Sequence, residues 1–388
     1  METHLTRVAI VGIGYSGFRA ATPDLSYKEL MFEAASRAYD DAGVHPRRDI
    51  DGFVTVAEDF HEGTSIFDEY VPDQLGAMLR PVHTIAGEGI QGLLAGYMQI
   101  RTGVMDIVAV EGHSKASNIL NLAAVQAYAL EPVLVRPLDA HPVFIAGMEM
   151  ARYLYESSNS AEHCARVVQK NKANALRVPY AGFGASLSLA EVADSEPVAA
   201  PLRSLEVSPH ADGAVVVVLA SEDAARRLAG TPVWIRGAGW ANGSYALEQR
   251  SWAEADYARA AGEMAYREAG IANPHAEINL AEIDDTFAYK ELQHMEALRL
   301  CGVGEAGPLT DEGATGVDGR MPVNPSGGSL GVGHLLDASG LHRVLEIVLQ
   351  LRGEAGERQI ENAVTGLAFG WRGLPSASGA CAILSTVN

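Results

Sequence analysis

The chain contains an internal repeat, and this repeat limits its possible folds more than any other feature of the sequence. Residues 34–44 read AASRAYDDAGV and residues 261–271 read AGEMAYREAGI, and both have the form of a helix that ends in Ala-Gly. Glycine just after the last helical residue is typical of a helix C-terminus, where the backbone becomes left-handed. Strands are predicted before and after each of these helices, at 8–14, 52–58, 233–240 and 278–285.

The repeat continues further along the chain. A predicted helix at 92–103 leads to a strand at 106–112, and a second helix at 340–353 leads to a strand at 362–371. Two copies of a β-α-β-α-β unit predict a duplicated α/β fold in which two sheets pack together with helices buried between them. We therefore expect a layered α-β-α-β-α sandwich.

One long segment interrupts the first copy. Residues 114–205 have no counterpart in the second copy, and their apolar period is mostly helical. We interpret them as an inserted loop domain that lies over the site, and residues 215–221 as the last strand of the first half. The two halves are then 1–221 and 222–388, with a boundary near 221–232.

Charge and composition exclude several classes of function. The 388 residues include 29 Lys+Arg and 49 Asp+Glu, a net charge of −20, and no basic stripe, so we expect no nucleic-acid partner. The longest apolar runs, such as 214–220, have the length of strands, so we expect no membrane span. Three cysteines without CxxC spacing and scattered histidines indicate a reducing, cytoplasmic location and no metal site. The start of the chain, 1–14, is predicted to be a short polar lead into a strand rather than a signal peptide.

The motif VGIGYSG at 11–17 has the glycine spacing of a dinucleotide-binding loop but not its context. Such a loop needs a helix that begins at the glycines, whereas Pro23 follows here and the next helix begins near Ser26. We expect these glycines to let the chain turn sharply at a sheet edge.

A second motif, VEGHSKAS at 110–117, resembles the nucleophile elbow of hydrolases. It would expose Ser114, and Asp285 and His334 follow in the order that such triads use. The elbow requires glycine two residues after the serine, and Ala116 stands there. A serine nucleophile remains an alternative on these residues.

Acidic residues gather where a predicted strand ends in AEIDDTFAYKEL, 281–292. The carboxylates are Glu282, Asp284 and Asp285, and Tyr289 follows on the next turn or helix. A carboxylate in this position can cap a helix or interact with its dipole, and Tyr289 can be a packed aromatic residue. We favour a functional role for Tyr289 over simple packing.

The loop VNPSGGSLGVGHLLDASGL, 323–341, carries five glycines around His334. A solvent loop does not need so many glycines near one histidine. Backbone N–H groups arranged around a small ligand or an oxyanion would explain them. The pattern therefore favours a functional role for His334.

Several motifs in the same order resemble the thiolase superfamily, specifically the sterol carrier protein X-type thiolases, over essentially the whole chain. They are GHSKAS (112–117), KNKANALRVPYAGF (170–183), HADGAVVVVLAS (210–221), EIDDTF (282–287) and NPSGGSLGVGH (324–334). The resemblance implies a thiolase-like fold and an acyl-CoA substrate, with no cofactor besides the coenzyme A of the substrate.

The sequence departs from the thiolase pattern at its reactive positions. Counting back from Gly89, Gly103, Asp106 and Gly112, the thiolase nucleophilic cysteine falls on Ala86. The histidine of the thiolase H-D-A-F motif falls on Asp284. The histidine of its G-H-P motif is present as His334, followed by Leu335. Acyl transfer in thiolases needs a thiolate, which alanine cannot replace. We expect the three cysteines to be structural.

The resemblance implies an acyl-CoA pocket that can stabilise a thioester enolate. The retro-aldol cleavage of a β-hydroxyacyl-CoA uses such an enolate and needs no covalent acyl-enzyme. We predict His334 and Tyr289 as proton-transfer residues, with Asp284 orienting or tuning one of them. The substrate-binding residues predicted from the same motifs are Ala86, Gly327, Gly328 and Gly370. Glu88 is either an added acid or a first-turn carboxylate of a helix.

The pattern also resembles the thiolase-like aldolases that shorten steroid side chains in bacteria. That resemblance implies a steroid-like or other bulky β-hydroxyacyl-CoA, a homodimer, and a small OB-fold partner related to acyl-CoA-associated proteins. Two alternatives stay open: a non-catalytic acyl-CoA-binding subunit, and a thiolase-like C-acyltransferase with another nucleophile such as Ser114.

Overall fold

A computed structural model of the protein describes residues 6–228, 230–244 and 246–387. The first residues of the predicted polar lead, 1–5, and Ala229 in the predicted boundary segment lie outside the described residues. The strands are β1 (Val8–Arg19), β2 (Gly52–Val56), β3 (Val82–Ile85), β4 (Ile107–Lys115), β5 (Pro197–Ala199), β6 (Leu202–Arg203), β7 (Asp212–Ser221), β8 (Val233–Asn242), β9 (Leu280–Glu282), β10 (Thr365–Trp371) and β11 (Ser378–Ser385).

Helices connect these strands and form the inserted segment. The helices are α1 (Tyr27–Ala42), α2 (Pro46–Asp49), α3 (Asp59–Glu62), α4 (Pro72–Leu75), α5 (Gly89–Arg101), α6 (Leu122–Ala127), α7 (Pro142–Glu156), α8 (Ala161–Ala175), α9 (Leu189–Ala193), α10 (Glu222–Ala225), α11 (Asp256–Ala269), α12 (Pro274–Glu277), α13 (Ala288–Ala297), α14 (Ala306–Asp311), α15 (Gly328–Val332) and α16 (Ser339–Arg352). Among the described residues, no helix combines the length and the apolar character needed to cross a membrane.

The large sheet shows the duplication directly. Its strand order is β3-β2-β4-β7-β1-β8-β11-β10-β9. Outward from the junction of β1 with β8, the first copy runs β1, β7, β4, β2 and the second runs β8, β11, β10, β9. The two copies share one continuous sheet, since Ala9 pairs with Trp234 and Ile10 with Val233. The prediction of two separate sheets differs from the structure only in this short junction.

The two repeated helices end as their sequences predict. Gly43 follows α1 with φ 66°, and Gly270 follows α11 with φ 72°. Both glycines adopt the left-handed conformation that ends a helix, which a side chain would disfavour. At its other end α1 begins after Ser26, where Glu29 accepts a hydrogen bond from the Ser26 N–H at 2.6 Å. The predicted start near Ser26 is confirmed.

The helices form three layers around the sheet. The central helices α5 and α16 pack with the inner faces of the strands in one apolar cluster. Helix α1 lies on the outer face of the first half, and α11 lies on the outer face of the second. Burial of apolar surface on both faces of each half is the main force that holds such layers together. The predicted layered α/β fold is confirmed.

The glycines of VGIGYSG do not form the predicted turn. Strand β1 continues through them, in the middle of the sheet, between β7 and β8. A Cβ atom at Gly12 would lie 2.4 Å from the Ala38 carbonyl oxygen, and one at Gly14 would lie 2.2 Å from that of Ala34. The prediction of a turn at a sheet edge is therefore wrong: these glycines let α1 pack closely on β1.

The inserted segment is helical, as predicted, but less uniformly. Helices α7 and α8 are long, whereas residues 117–130, which are also helical by apolar period, contain only the six-residue α-helix α6. A Cβ atom at Gly147 in α7 would lie 2.4 Å from the carbonyl oxygen of Ala199, so this glycine lets α7 approach β5. The division of the chain into halves 1–221 and 222–388 stays a prediction.

Candidate active site

A cavity of about 330 Å³ lies where the loops after several strands meet the start of α5. Its wall includes the backbone of Gly87 and the hydroxyls of Ser208 and Thr286. Neither hydroxyl has a hydrogen-bond partner in the described chain. The histidines and carboxyl side chains in the wall are Glu58, His61, Glu88, His210, His334 and Asp337. Clusters of such groups in a cavity are typical of an active site.

His334 lies in this wall, directly after α15. Its N–H donates to the carbonyl oxygen of Pro209 at 2.6 Å, and its own carbonyl accepts from Ala211 N–H at 3.0 Å. Its side-chain Nδ1 accepts a hydrogen bond from the Leu336 N–H at 3.2 Å. A neutral imidazole that accepts at Nδ1 carries its proton on Nε2. His334 therefore presents an N–H donor at Nε2.

The electrostatic environment keeps His334 neutral. Burial lowers the pKa of His334 well below its usual value, and the nearby positive charges of His210, Arg343 and His61 lower it further. Burial together with His61 also lowers the pKa of His210, whose ring lies 5.5 Å from that of His334. A neutral donor of this kind suits an oxygen that gains negative charge during a reaction.

His61 and Asp337 form a dyad in the same wall. The His61 Nδ1 lies 3.1 Å from the Asp337 Oδ2, which also accepts from the Glu58 N–H at 3.0 Å. Burial alone would lower the pKa of His61, but the hydrogen bond and charge of Asp337, with the charges of Glu58 and Glu62, raise it overall. A carboxylate on Nδ1 leaves Nε2 as the basic atom. His61 thus has the arrangement of a general base.

Glu88 supplies a carboxyl group to the wall at the N-terminus of α5. Its Oε2 accepts the Ile90 N–H at 2.9 Å, while Oε1 has no hydrogen-bond partner in the described chain. Burial raises the pKa of Glu88 to about 8, although Arg343 and the Ile90 N–H act in the opposite direction. Glu88 is therefore both a helix cap and a carboxyl that holds a proton near neutral pH.

Two glycines make room for this carboxyl. A Cβ atom at Gly340 would lie 1.7 Å from the Glu88 Oε1, and one at Gly370 would lie 2.0 Å from its Oε2. Gly370 was predicted to bind substrate, and the structure places it against Glu88. Helices α5 and α16 also approach each other closely here, because a Cβ atom at Gly89 in α5 would lie 2.4 Å from the Leu341 nitrogen in α16.

Ala86, predicted at the nucleophile position, is exposed and does not line the cavity. It follows β3, and the two residues after it, Gly87 and Glu88, are the ones that reach the wall. The turn therefore brings its second and third residues, not its first, to the cavity.

Asp284 is fully buried and does not line the cavity. Its Oδ2 accepts the Arg343 Nη2 hydrogen bond at 2.7 Å, and the Arg343 Nη1 lies 3.6 Å from the Glu88 Oε1. Asp284 thus contacts neither His334 nor Tyr289 through a hydrogen bond. It is linked to the cavity wall through Arg343 to Glu88, and through the Thr286 N–H, which its Oδ1 accepts at 3.1 Å.

Gly327 and Gly328 surround an internal carboxylate rather than the cavity. Asp285 accepts the N–H groups of Ser329 and Leu330 at 2.6 and 3.1 Å, and a Cβ atom at Gly328 would lie 2.2 Å from its Oδ2. Gly327 has φ 94° and packs against α8. The glycine-rich loop thus builds the frame that carries His334, and substrate contacts by these two glycines stay a prediction.

Tyr289 lies outside the cavity wall, in a fully buried polar network. Its hydroxyl donates to the Glu149 Oε2 at 3.0 Å, and Lys290 Nζ donates to the Glu149 Oε1 at 2.7 Å. Burial and the charge of Glu149 raise the pKa of Tyr289 well above its usual value. The structure does not bring Tyr289 and His334 together, so its position gives no support to a proton-transfer role.

The side chains that could act as other nucleophiles are also elsewhere. Ser114 is fully buried in β4, and its hydroxyl donates to the carbonyl oxygen of Ala211 at 2.7 Å. None of Cys164, Cys301 and Cys381 lines the cavity, and burial raises the pKa of each thiol. The serine and the cysteines considered as nucleophiles from the sequence therefore do not line the cavity.

A second cavity of about 330 Å³ lies between α7, α11 and α13. Its charged and polar lining includes Glu156, Glu254, Arg259, Gln293 and Glu296. No histidine lies among the described residues that line this cavity, and the site residues predicted from the motifs do not line it. We therefore assign the candidate site to the cavity that contains His334.

The comparison with known proteins decides the family. Residues 239–386 match the family described as thiolase C-terminal domain-like. The chain is 32% identical over 368 residues to acetyl-CoA acetyltransferase of Methanothermobacter thermautotrophicus, which covers 93% of this chain and 94% of that protein. The chain belongs to the thiolase superfamily. Among its relatives in this superfamily, sterol carrier protein 2 of Oryctolagus cuniculus is 30% identical over 94% of the chain and 69% of that protein.

A solved structure shares the whole thiolase-like fold. The Ltp2-ChsH2(DUF35) aldolase superposes with a TM-score of 0.84 at 25% sequence identity, over 98% of this chain and 97% of that chain. The predicted membership in the superfamily and the resemblance to its aldolases are confirmed. The activity of this chain does not follow from these similarities alone.

The sequence reasoning missed His61, His210 and Asp337. Asp337 stands three residues after His334 in the same loop, and this spacing was the one available signal. His61 carries no motif, and it is 276 residues from the Asp337 that it contacts. Only the folded chain brings these two side chains together.

Proposed function

We propose that the protein is a carbon–carbon lyase that cleaves a β-hydroxyacyl-CoA by a retro-aldol reaction, without a covalent acyl-enzyme. The observation that carries this proposal is the composition of the cavity wall. It contains a His–Asp dyad, a neutral histidine N–H donor and a buried carboxyl, whereas none of the cysteines lies there. These groups transfer protons and stabilise an oxyanion, but they do not form a thioester.

The reaction needs a base, a donor and an acid. The Nε2 of His61, held by Asp337, removes the proton of the β-hydroxyl group. The Cβ–O bond becomes a carbonyl, the Cα–Cβ bond breaks, and its electron pair passes to Cα as a thioester enolate. The Nε2–H of His334 donates to the enolate oxygen, with the free hydroxyls of Ser208 and Thr286 as further donors. Protonation of Cα by an acid then gives the shortened acyl-CoA.

The relatives support the substrate class and suggest a partner. An acetyl-CoA acetyltransferase is among them, which agrees with an acyl-CoA substrate, and the superposed aldolase is described together with ChsH2(DUF35). We propose a homodimer of this chain with a small OB-fold partner of that kind. A steroid-like or other bulky acyl group and a cytoplasmic location belong to the same proposal.

The experiment is a turnover assay with and without a co-expressed small partner. Incubation with a series of β-hydroxyacyl-CoA thioesters should release an aldehyde or ketone together with a shortened acyl-CoA. Binding of the thioesters without turnover, in the presence of the partner as well as in its absence, would contradict the lyase and indicate a non-catalytic acyl-CoA-binding subunit.

A further inference from the structure

The proposed reaction needs an acid at Cα, and Tyr289 does not reach the cavity. Of the described acidic side chains in the wall, Glu58 is paired with Arg372 at 2.8 Å and Asp337 holds His61. Glu88 is the remaining one. It is 3% exposed, and its Oε1 has no hydrogen-bond partner in the described chain. Buried polar atoms are normally hydrogen-bonded, and the Arg343 Nη1 lies 3.6 Å from this oxygen, beyond hydrogen-bond distance, so a ligand in the cavity can supply the missing hydrogen bond.

The surroundings of Glu88 are built around its carboxyl group. Gly340 at the start of α16 and Gly370 in β10 lack the side chains that would overlap it. Gln91 accepts the Glu88 N–H at 2.8 Å, and the Ile90 N–H holds Oε2, so the side chain has one fixed orientation. Three elements from both halves of the chain therefore position a single carboxyl at the cavity.

The nearby charges are arranged so that this carboxyl can keep a proton. Among the described residues, Arg343 is the cation close to it, but its Nη2 is bound to Asp284 at 2.7 Å, whereas its Nη1 is 3.6 Å from the Glu88 Oε1. Asp284 therefore competes with Glu88 for the same guanidinium group. This gives the buried Asp284 a role in the site through Arg343, without contact with a substrate.

We infer that Glu88 is the catalytic acid–base that transfers the proton at the α-carbon of the acyl-CoA, and that Asp284 is a positioning residue acting through Arg343. Protonated Glu88 gives its proton to the Cα of the enolate and becomes a carboxylate. In the reverse direction the carboxylate takes a proton from Cα, and the electron pair moves to the thioester oxygen. This inference rests on the proposed function for its substrate class, although enolate formation does not require cleavage of a carbon–carbon bond.

The test measures hydrogen exchange separately from cleavage. The full-length protein, with its partner where one is needed, is incubated with acetyl-CoA in ²H₂O, and deuterium at the α-carbon is followed by mass spectrometry. Glu88→Gln keeps the shape of the side chain and the acceptor for Ile90 N–H, but it cannot transfer a proton. We expect it to lower the exchange rate and the cleavage rate by about 100-fold or more. Glu206→Gln, at a buried carboxyl outside the cavity, should change neither rate.

A second variant tests the acid without removing it. Asp284→Asn releases Arg343 to pair with Glu88, which should lower the pKa of Glu88 below about 8. Because the acid must be protonated to act, the alkaline limb of the cleavage rate should move to lower pH. If Asp284 is only structural, Asp284→Asn should lower the stability of the protein without moving that limb.

The outcomes separate the two proposals. Exchange that depends on Glu88 without any cleavage would support the acid–base role and contradict the lyase. Cleavage at an undiminished rate in Glu88→Gln would overturn the role of Glu88 and leave the lyase. Absence of exchange in the wild-type protein would overturn the acid–base role of Glu88. An alkaline limb that does not move in Asp284→Asn would overturn the positioning role of Asp284. If Glu88→Gln fails to fold, Asp284→Asn decides the role of Glu88.

Discussion

His334 acts as a hydrogen-bond donor in this account, because the Leu336 N–H occupies its Nδ1 and burial keeps the ring neutral. A base would need a free lone pair at the atom that faces the substrate. His334 therefore differs from His61, whose Nδ1 faces the carboxylate of Asp337. The two histidines have opposite tautomers and opposite roles.

The first prediction separates a donor from a base at position 334. His334→Ala should lower kcat by about 100-fold to 1,000-fold, the usual cost of losing one oxyanion donor. His334→Gln keeps an N–H group close to the position of Nε2, so it should retain at least about 10-fold more activity than His334→Ala. Equal loss in both variants would contradict the donor role, and thermal melting would confirm that both are folded.

The second prediction concerns Tyr289, whose hydroxyl interacts with Glu149 rather than with the cavity. Tyr289→Phe should leave turnover within about 3-fold of wild type. It should lower the free energy of unfolding by about 1–3 kcal/mol, because a buried carboxylate loses a donor. Denaturation with urea measures the second effect. A 100-fold loss of turnover with normal stability would restore the proton-transfer role expected from the sequence.

Site residues that stand in a continuous sequence motif could be predicted, whereas residues whose position depends on contacts between distant parts of the chain could not. His334 stands in a continuous motif, and the structure places it in the cavity. Tyr289 is close in sequence to Thr286, which lines the cavity, but the start of α13 directs Tyr289 toward α7. For Glu88 the sequence allows an added acid or a first-turn carboxylate of a helix, and the structure places it both at the N-cap of α5 and in the cavity wall.

At the scale of elements, the short helix α3 carries the proposed base and is fixed by a neighbouring buried charge. Glu62 at its end lies 2.8 Å from the Nε2 of His113, whose Nδ1 lies 3.0 Å from Glu111. Burial alone would lower the pKa of His113, but the charges of Glu62 and Glu111 raise it well above the usual value. The ring of His113 is stacked on Tyr27 and Phe67. A buried imidazolium thus holds α3 and sets the position of His61.

The third prediction follows from the charges that raise the pKa of His61, which are those of Asp337, Glu58 and Glu62. His61 in turn lowers the pKa of His210 and of His334, which also line the cavity. The base acts when neutral, so a lower pKa moves the acid limb of kcat to lower pH. Asp337→Asn should shift this limb downward by about 1 unit or more, and Glu62→Gln by less than about 1 unit.

The control for this series is Asp73→Asn, which removes an exposed acid from α4 and should leave the acid limb unchanged. A downward shift of equal size in all three variants would indicate a general effect of net charge. An upward shift in Asp337→Asn would contradict the assignment of His61 as the base.

At the scale of the whole molecule, the duplication was predictable because both copies keep the same helix ends and the same apolar periods. The order of strands around β1 and β8 follows from it. The site was less predictable, because it lies where the two copies meet. Glu88 comes from the first copy, whereas Gly340, Gly370 and Arg343 come from the second. The surroundings of the Glu88 carboxyl therefore form only when the two copies pack together.

We propose that this member of the thiolase superfamily breaks a carbon–carbon bond without an acyl-enzyme. The most direct measurement is to incubate the protein and its partner with a β-hydroxyacyl-CoA, quantify the products and record the intact mass of the chain during turnover. We predict equal amounts of a carbonyl compound and a shortened acyl-CoA, with no mass added to the protein. An acyl adduct on the chain, or release of free coenzyme A in place of the carbonyl compound, would contradict the account.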